Sequence, residues 1–142
     1  MNLQERLDYL NIDSRMEEQI RSLPFKIIDE SLIRTDNELN YEKIINLSDL
    51  VGTSRLDVSS DNWIDYLGSL HKMRNFNYPV ETYHRVLINP SLLDPPSVYL
   101  PDVIYNEGKY YINGEGKHRL TIGKCIGATK AKVTVTEYST KV

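Results

Sequence analysis

The sequence predicts a small α+β domain, a mixed sheet with helices packed on it around one core, and three observations lead there. Apolar residues recur at helical spacing at Leu3, Leu7 and Leu10, at Met16, Ile20 and Leu23, and at Trp63, Ile64, Leu67 and Leu70. Two β-favouring runs, residues 103–105 and 110–112, flank the turn Asn106-Glu107-Gly108-Lys109, the clearest hairpin signal in the chain. Ala131, Val133 and Val135 alternate with Lys132, Thr134 and Thr136, the period-two pattern of a half-buried closing strand.

The remaining elements follow in order. The first two apolar stripes read as two short helices closed by Pro24, with Ser14 and Glu17 at capping-box spacing. Their apolar faces are expected to cover the sheet, with a dimer contact as the second reading. Residues 25–33 and 41–47 read as strands around the polar turn Thr35-Asp36-Asn37, and Ser60 is placed to cap the helix carrying Trp63. A further helix over 80–88 turns Val80, Tyr83, Val86 and Leu87 inward and leaves His84 and Arg85 near the surface. Asn89-Pro90 and Asp94-Pro95-Pro96 punctuate the chain ahead of the hairpin. The last helix, 117–126, ends at Gly127, which suits a left-handed C′ position; Gly123 lets it approach the sheet, and Cys125 reads as a small core residue.

Composition bounds the function. A chain of 142 residues with 40% hydrophobic and 26% charged content is one globular domain's worth. A net charge of −3 argues against broad coating of nucleic acid, which needs many cationic contacts to phosphate. One cysteine excludes an internal disulfide and any multi-cysteine zinc site, and suits a cytoplasmic protein. Neither a signal peptide nor a membrane span is expected, since no apolar run approaches the roughly 20 residues a bilayer requires.

The chemistry concentrates in Tyr110-Tyr111-Ile112-Asn113-Gly114-Glu115-Gly116-Lys117-His118-Arg119-Leu120. A strand enters a glycine-rich turn and a helix leaves it. The first-turn amides of such a helix lie outside its hydrogen-bond ladder and favour an anion. Lys117 adds a point charge, Arg119 a planar fork for two phosphate oxygens, and His118 a donor able to move a proton near neutral pH. Glu115 would repel phosphate unless it binds a metal ion such as Mg²⁺ or serves as a base. A second basic and aromatic stretch, His71-Lys72-Met73-Arg74-Asn75-Phe76-Asn77-Tyr78, has the composition that stacks bases and neutralises phosphate. A solvated helix terminus and an ordinary surface turn are the plain alternatives for these two segments.

The segment Gly114-Glu115-Gly116-Lys117-His118-Arg119-Leu120, followed by Gly127 and the strand 130–136, resembles the signature of the ParB/sulfiredoxin superfamily. Upstream, residues 42–50 are similar to that family's first strand, Arg55 falls where an arginine often follows it, residues 61–73 resemble the next helix, and Pro95-Pro96-Ser97-Val98 the strand before the motif hairpin. The resemblance implies residues 41–142 as a ParB/sulfiredoxin-like domain with an insertion at about 74–94, and residues 1–40 as helices and a strand packed on it. It departs from sulfiredoxins at Lys117, where their catalytic cysteine stands, which argues against sulfinic acid reduction. ParB partition proteins carry a helix-turn-helix after this domain that residues 1–142 do not match, so centromere binding of that kind is not expected.

What the resemblance implies is a nucleotide-binding domain that transfers phosphate or hydrolyses a nucleotide, with ATP or CTP and Mg²⁺ as cofactors, in a bacterial, plasmid or phage setting. Gly114, Gly116, Lys117, His118, Arg119 and Arg55 would hold the nucleotide; Glu115 would bind Mg²⁺, and Glu115 and His118 would act in catalysis. Two other readings stay open: a noncatalytic nucleotide-gated module that meets a homodimer or protein partner through its N-terminal helices, and a DNA- or RNA-binding protein or nuclease of the ParB-like type.

Overall fold

The computed structural model describes residues 2–55, 60–70, 79–92 and 99–139. Six strands form one mixed sheet in the order β1-β3-β5-β4-β6-β2. They span Lys26–Ile27 (β1), Glu38–Asn46 (β2), Leu50–Thr53 (β3), Asp102–Asn106 (β4), Lys109–Ile112 (β5) and Lys130–Tyr138 (β6). Among the described residues the α-helices are Leu3–Tyr9 (α1), Ser14–Arg21 (α2), Trp63–Ser69 (α3), Val80–Val86 (α4) and Lys117–Cys125 (α5). The expected mixed α+β architecture is present.

Strands β1, β3 and β5 are parallel; β4 runs against β5 and alongside β6, and β6 pairs antiparallel with β2. Ala131, Val133 and Val135 of β6, Val103 of β4, Ile112 of β5 and Ile45 of β2 line the buried face in register. Ile104, Tyr111 and Tyr138 alternate with these and lie on the other face. Consecutive strands β1 and β2 occupy opposite edges, so residues 28–37 must cross that second face. There the carboxylate of Glu30, in the 3₁₀ turn Glu30–Leu32, accepts from the Tyr138 hydroxyl. This crossing explains why the strand expected over 25–33 shortens to two residues. Strand β3, with its glycine and only four residues, carries too short a pattern to announce itself, yet it is a central parallel strand beside β5.

The helices cover the buried face. Trp63, Ile64, Leu67 and Leu70 are all buried, as their spacing predicts, and share a cluster with Leu7, Leu10, Ile12 and Ile20, so the N-terminal helices belong to the same core. Phe25 meets Trp63 edge to face at 5.0 Å, and the Trp63 indole donates to Pro24 O at 2.9 Å, locking the end of α2 onto α3. The caps differ from the expected ones. The capping box forms at Asn2 and Glu5; Asp13, not Ser14, caps α2, and Asn62, not Ser60, caps α3. In each case the residue whose oxygen reaches the N3 amide wins. On α4, Tyr83, Val86 and Leu87 are buried while His84 and Arg85 are exposed. Helix α5 ends as expected at Gly127, with φ of 75°. Ala128 N donates to Gly123 O and Gly127 N to Lys124 O, the paired bonds of a Schellman end. Gly123 permits a close approach, but to helix α4: a Cβ there would fall 2.7 Å from Leu87 Cδ1. His71, Phe76, Tyr78, Pro95 and Pro96 lie outside the described residues.

Two buried cations tie helices to neighbouring carbonyls. Arg6 of α1 donates from Nη1 to Leu67 O at 2.5 Å and from Nη2 to Leu70 O at 2.6 Å. It thereby supplies donors and positive charge where α3 runs out of its own. Lys124 of α5 donates from Nζ to Leu47 O at 2.5 Å and lies 5.6 Å from the centre of the Trp63 ring.

Replacing Arg6 with alanine leaves two buried carbonyls without these donors and opens a void. The expected loss is about 2–4 kcal/mol of unfolding free energy by urea titration; a loss below roughly 0.5 kcal/mol, the range of ordinary surface substitutions, would refute the clamp. Burial lowers the Lys124 ammonium from 10.5 to about 8, with Asp49 pulling weakly the other way. Above about pH 8 the folded chain sheds this proton while the unfolded chain keeps it until about 10.5, so the group's contribution to stability rises across that window. The wild-type minus Lys124→Met stability difference is therefore expected to grow in favour of wild type from about pH 8 towards pH 10 in denaturant titrations. The Cys125 thiol, which burial pushes up to about 12, has the opposite slope; its burial is common to both chains, and only the smaller effect of the Lys124 charge on it differs between them. A flat difference would contradict the assignment.

Candidate functional site

The glycine-rich turn lies at the carboxyl ends of the parallel strands β3 and β5, where α5 begins. Ligands of open α/β sheets gather at such edges because loops and helix N-termini converge there. Two backbone bonds stitch the turn down, Asp102 N to Glu115 O at 2.9 Å and Asn113 N to Asp102 O at 2.9 Å, and Thr134 N to Pro101 O at 2.9 Å holds the neighbouring Pro101. Gly116 packs on Pro101 so closely that a Cβ would fall 2.4 Å from the proline Cβ, and its φ of 90° is left-handed. Both facts require glycine.

That left-handed residue followed by helical Lys117 is the backbone pairing that curls successive N–H groups towards one point, the concavity that holds anions. Gly116, at the N-cap, has no side chain with which to cap the helix, and the ladder starts with Leu120 N donating to Gly116 O at 3.0 Å. The amides that precede this bond belong to the first turn, with the positive end of the helix dipole behind them.

The side chains distribute around the turn. Lys117 leans towards α3, its Nζ 5.9 Å from the centre of the Tyr66 ring. Tyr66 OH in turn reaches Thr53 Oγ1 at 3.5 Å, at the end of β3. Next along, Ser54 donates from Oγ to Asn113 Oδ1 at 2.7 Å, and the Arg55 amide donates to Thr53 Oγ1 at 3.1 Å. Lys117, Asn113, Ser54 and the start of Arg55 thus share one neighbourhood. Arg119 leaves in a different direction, donating from Nη2 to Tyr99 O at 3.0 Å. Burial lowers its guanidinium pKa, and the Glu115 charge acts against that shift. Lys117 and Arg119 therefore stand on separate neighbours flanking the turn. His118 is half-buried in the first turn of α5, Gly114 is half-buried, and Glu115 is exposed.

Sequence reasoning missed Asp102, whose Oδ2 would lie 2.8 Å from a Cβ at residue 114, as well as Ser54, Tyr66 and Tyr99. Each is distant in sequence from the motif, and short polar residues at strand ends carry no pattern of their own. Among the described residues no group of three or more His, Cys, Asp or Glu side chains could hold a metal ion. A lone carboxylate such as Glu115 would hold Mg²⁺ only when phosphate oxygens and water complete its shell, which is how Mg²⁺ is commonly held. Also among the described residues, no helix is long and apolar enough to cross a membrane.

No protein-family model matches the chain, and no curated protein or solved structure matches it either.

Substituting Gly116 with alanine is expected to cost at least about 2 kcal/mol, combining left-handed strain with overpacking on Pro101. Gly108 also has positive φ, at 81°, but open space around it. Its alanine variant carries only the backbone cost, about 1 kcal/mol. Equal losses by urea titration would rule out the Pro101 contact as a determinant.

Proposed function

We propose that the protein binds the phosphates of a nucleotide at the turn formed by residues 114–119, as a nucleotide-binding domain of the ParB/sulfiredoxin type acting in phosphate transfer or nucleotide hydrolysis. The observation that carries this reading is the start of α5, where left-handed Gly116 stands at the N-cap on the carboxyl edge of β3 and β5. In it the phosphates sit over the first-turn amides, with Lys117 approaching from the Tyr66 side and Arg119 from the Tyr99 side. Arg55, two residues past the end of β3, would add charge to the same site. Chemistry at such a site is mostly alignment and charge stabilisation. In this reading His118 donates to a phosphate oxygen, and Glu115 accepts a proton or holds Mg²⁺, which would neutralise developing charge on the phosphates.

The test is a thermal-shift panel of ATP and CTP with and without Mg²⁺, followed by a phosphate-release assay. Wild type is expected to be stabilised by one of the nucleotides, by about 2.7 kcal/mol at a ligand concentration one hundred times Kd. Lys117→Ala should lose most of that stabilisation while keeping its ligand-free melting temperature within a few degrees. Equal stabilisation of both chains, or of neither, would refute the site. Stabilisation of wild type without phosphate release would identify a binding module instead of an enzyme.

A further inference from the structure

Tyr99 differs from every other aromatic residue described. It is 73% exposed, against 40% for Tyr9, the next in order, while Tyr66, Tyr83, Tyr110 and Tyr111 are buried. An exposed ring forgoes the burial that is an aromatic side chain's main contribution to a fold. The backbone that carries it is nevertheless fixed on both sides. Arg119 donates from Nη2 to Tyr99 O at 3.0 Å. Two residues on, Pro101 is buried against Gly116, and its carbonyl accepts from Thr134 N at 2.9 Å. Tyrosine has only two side-chain torsions, so a ring on such a backbone loses little further freedom when a flat partner covers it.

The place of this ring matters as much as its exposure. Through Arg119 and Pro101 it is tied to the two residues that frame the start of α5, the half-buried arginine of the first turn and the left-handed glycine before it. We propose that Tyr99 is the base platform of the phosphate site, its ring stacking on the nucleobase of a nucleotide whose phosphates lie over the first turn of α5. Arg119 joins the two halves of the ligand site. Its guanidinium carries five N–H donors, so that one group can hold the Tyr99 carbonyl while others meet a phosphate oxygen. Every base offers a π-face, so a single exposed ring holds adenine or cytosine without reading hydrogen bonds on its edge. The ligand class that uses both parts is a nucleotide; an inorganic phosphate chain or a sugar phosphate leaves the ring unused.

This inference rests on the phosphate reading given above, and one set of titrations tells the failure of one from the failure of the other. ATP, CTP and inorganic tripolyphosphate are titrated by calorimetry into the full chain, into Tyr99→Ala and into Tyr99→Phe. Tyr99 is exposed, so its replacement spares the core, and the ligand-free melting temperature checks that each variant is folded. Tyr99→Ala is expected to weaken the nucleotide that wild type binds about tenfold, the size of one lost stack, and to move tripolyphosphate less than twofold; Tyr99→Phe, which keeps the ring, stays within about twofold of wild type for every ligand. In Tyr99→Trp the added indole fluorescence is expected to fall on binding that nucleotide and to stay level with tripolyphosphate, a signature that a merely structural tyrosine would not give. If none of the three ligands binds wild type, the phosphate site itself fails and the platform with it. If tripolyphosphate binds but neither nucleotide does, or Tyr99→Ala leaves the nucleotide within twofold, or weakens tripolyphosphate equally, the phosphate site stands and the role of Tyr99 is overturned.

Discussion

The contact of Gly116 with Pro101 is the constraint on which the rest of this structure leans. Pro101 precedes β4, Gly116 precedes α5, and the two backbones approach to a distance that excludes any side chain at 116. Because β4 pairs with both β5 and β6, fixing its start against the turn fixes the point at which α5 springs from the sheet. The bonds from Asp102 N to Glu115 O and from Asn113 N to Asp102 O hold the same joint. A left-handed residue is tolerated there because the surrounding pairing over-determines it. The geometry that suits an anion and the geometry that sets the helix are therefore the same.

Helix α5 is fixed at its other end by different means. Lys124 reaches Leu47 O just beyond β2, Cys125 lies against Trp63 O, and Gly123 admits Leu87 of α4. A cation and a thiol in a dry seam are costly unless each has a partner, which is why both shift towards their neutral forms. Arg6 plays the matching part for α3, converting the frayed end of that helix into an anchor for α1. With α3 and α5 both pinned, Tyr66 and Lys117 meet at the edge of the sheet beside Thr53, and the candidate site gains a floor that no single element supplies.

The two edges of the sheet differ in what they carry. The carboxyl edge of β3 and β5 carries Lys117 and Arg119 on either side of the turn that starts α5. The outer strand β2 keeps its charges turned onto β6 and Tyr110. Residues 28–37 make this division necessary, since by crossing the sheet they carry the chain from one edge to the other.

Read alone, the residues determined whatever depends on near neighbours. The hairpin across Glu107-Gly108, the buried stripe from Trp63 to Leu70, the alternation in β6, the C′ glycine at 127 and the strand-turn-helix around Gly116 are all consequences of local propensity and period, and all were legible. Only the tertiary structure decided that β1 is two residues long, that Leu50-Val51-Gly52-Thr53 is a central strand, that Lys117 and Arg119 flank the turn on separate neighbours, and that Asp102, Ser54 and Tyr66 join them. The physical reason is that strand pairing and side-chain placement are settled by partners tens of residues away, whose approach leaves no periodic mark on the chain. A glycine forced by a clash with Pro101 looks, in the sequence, like any other glycine in a turn.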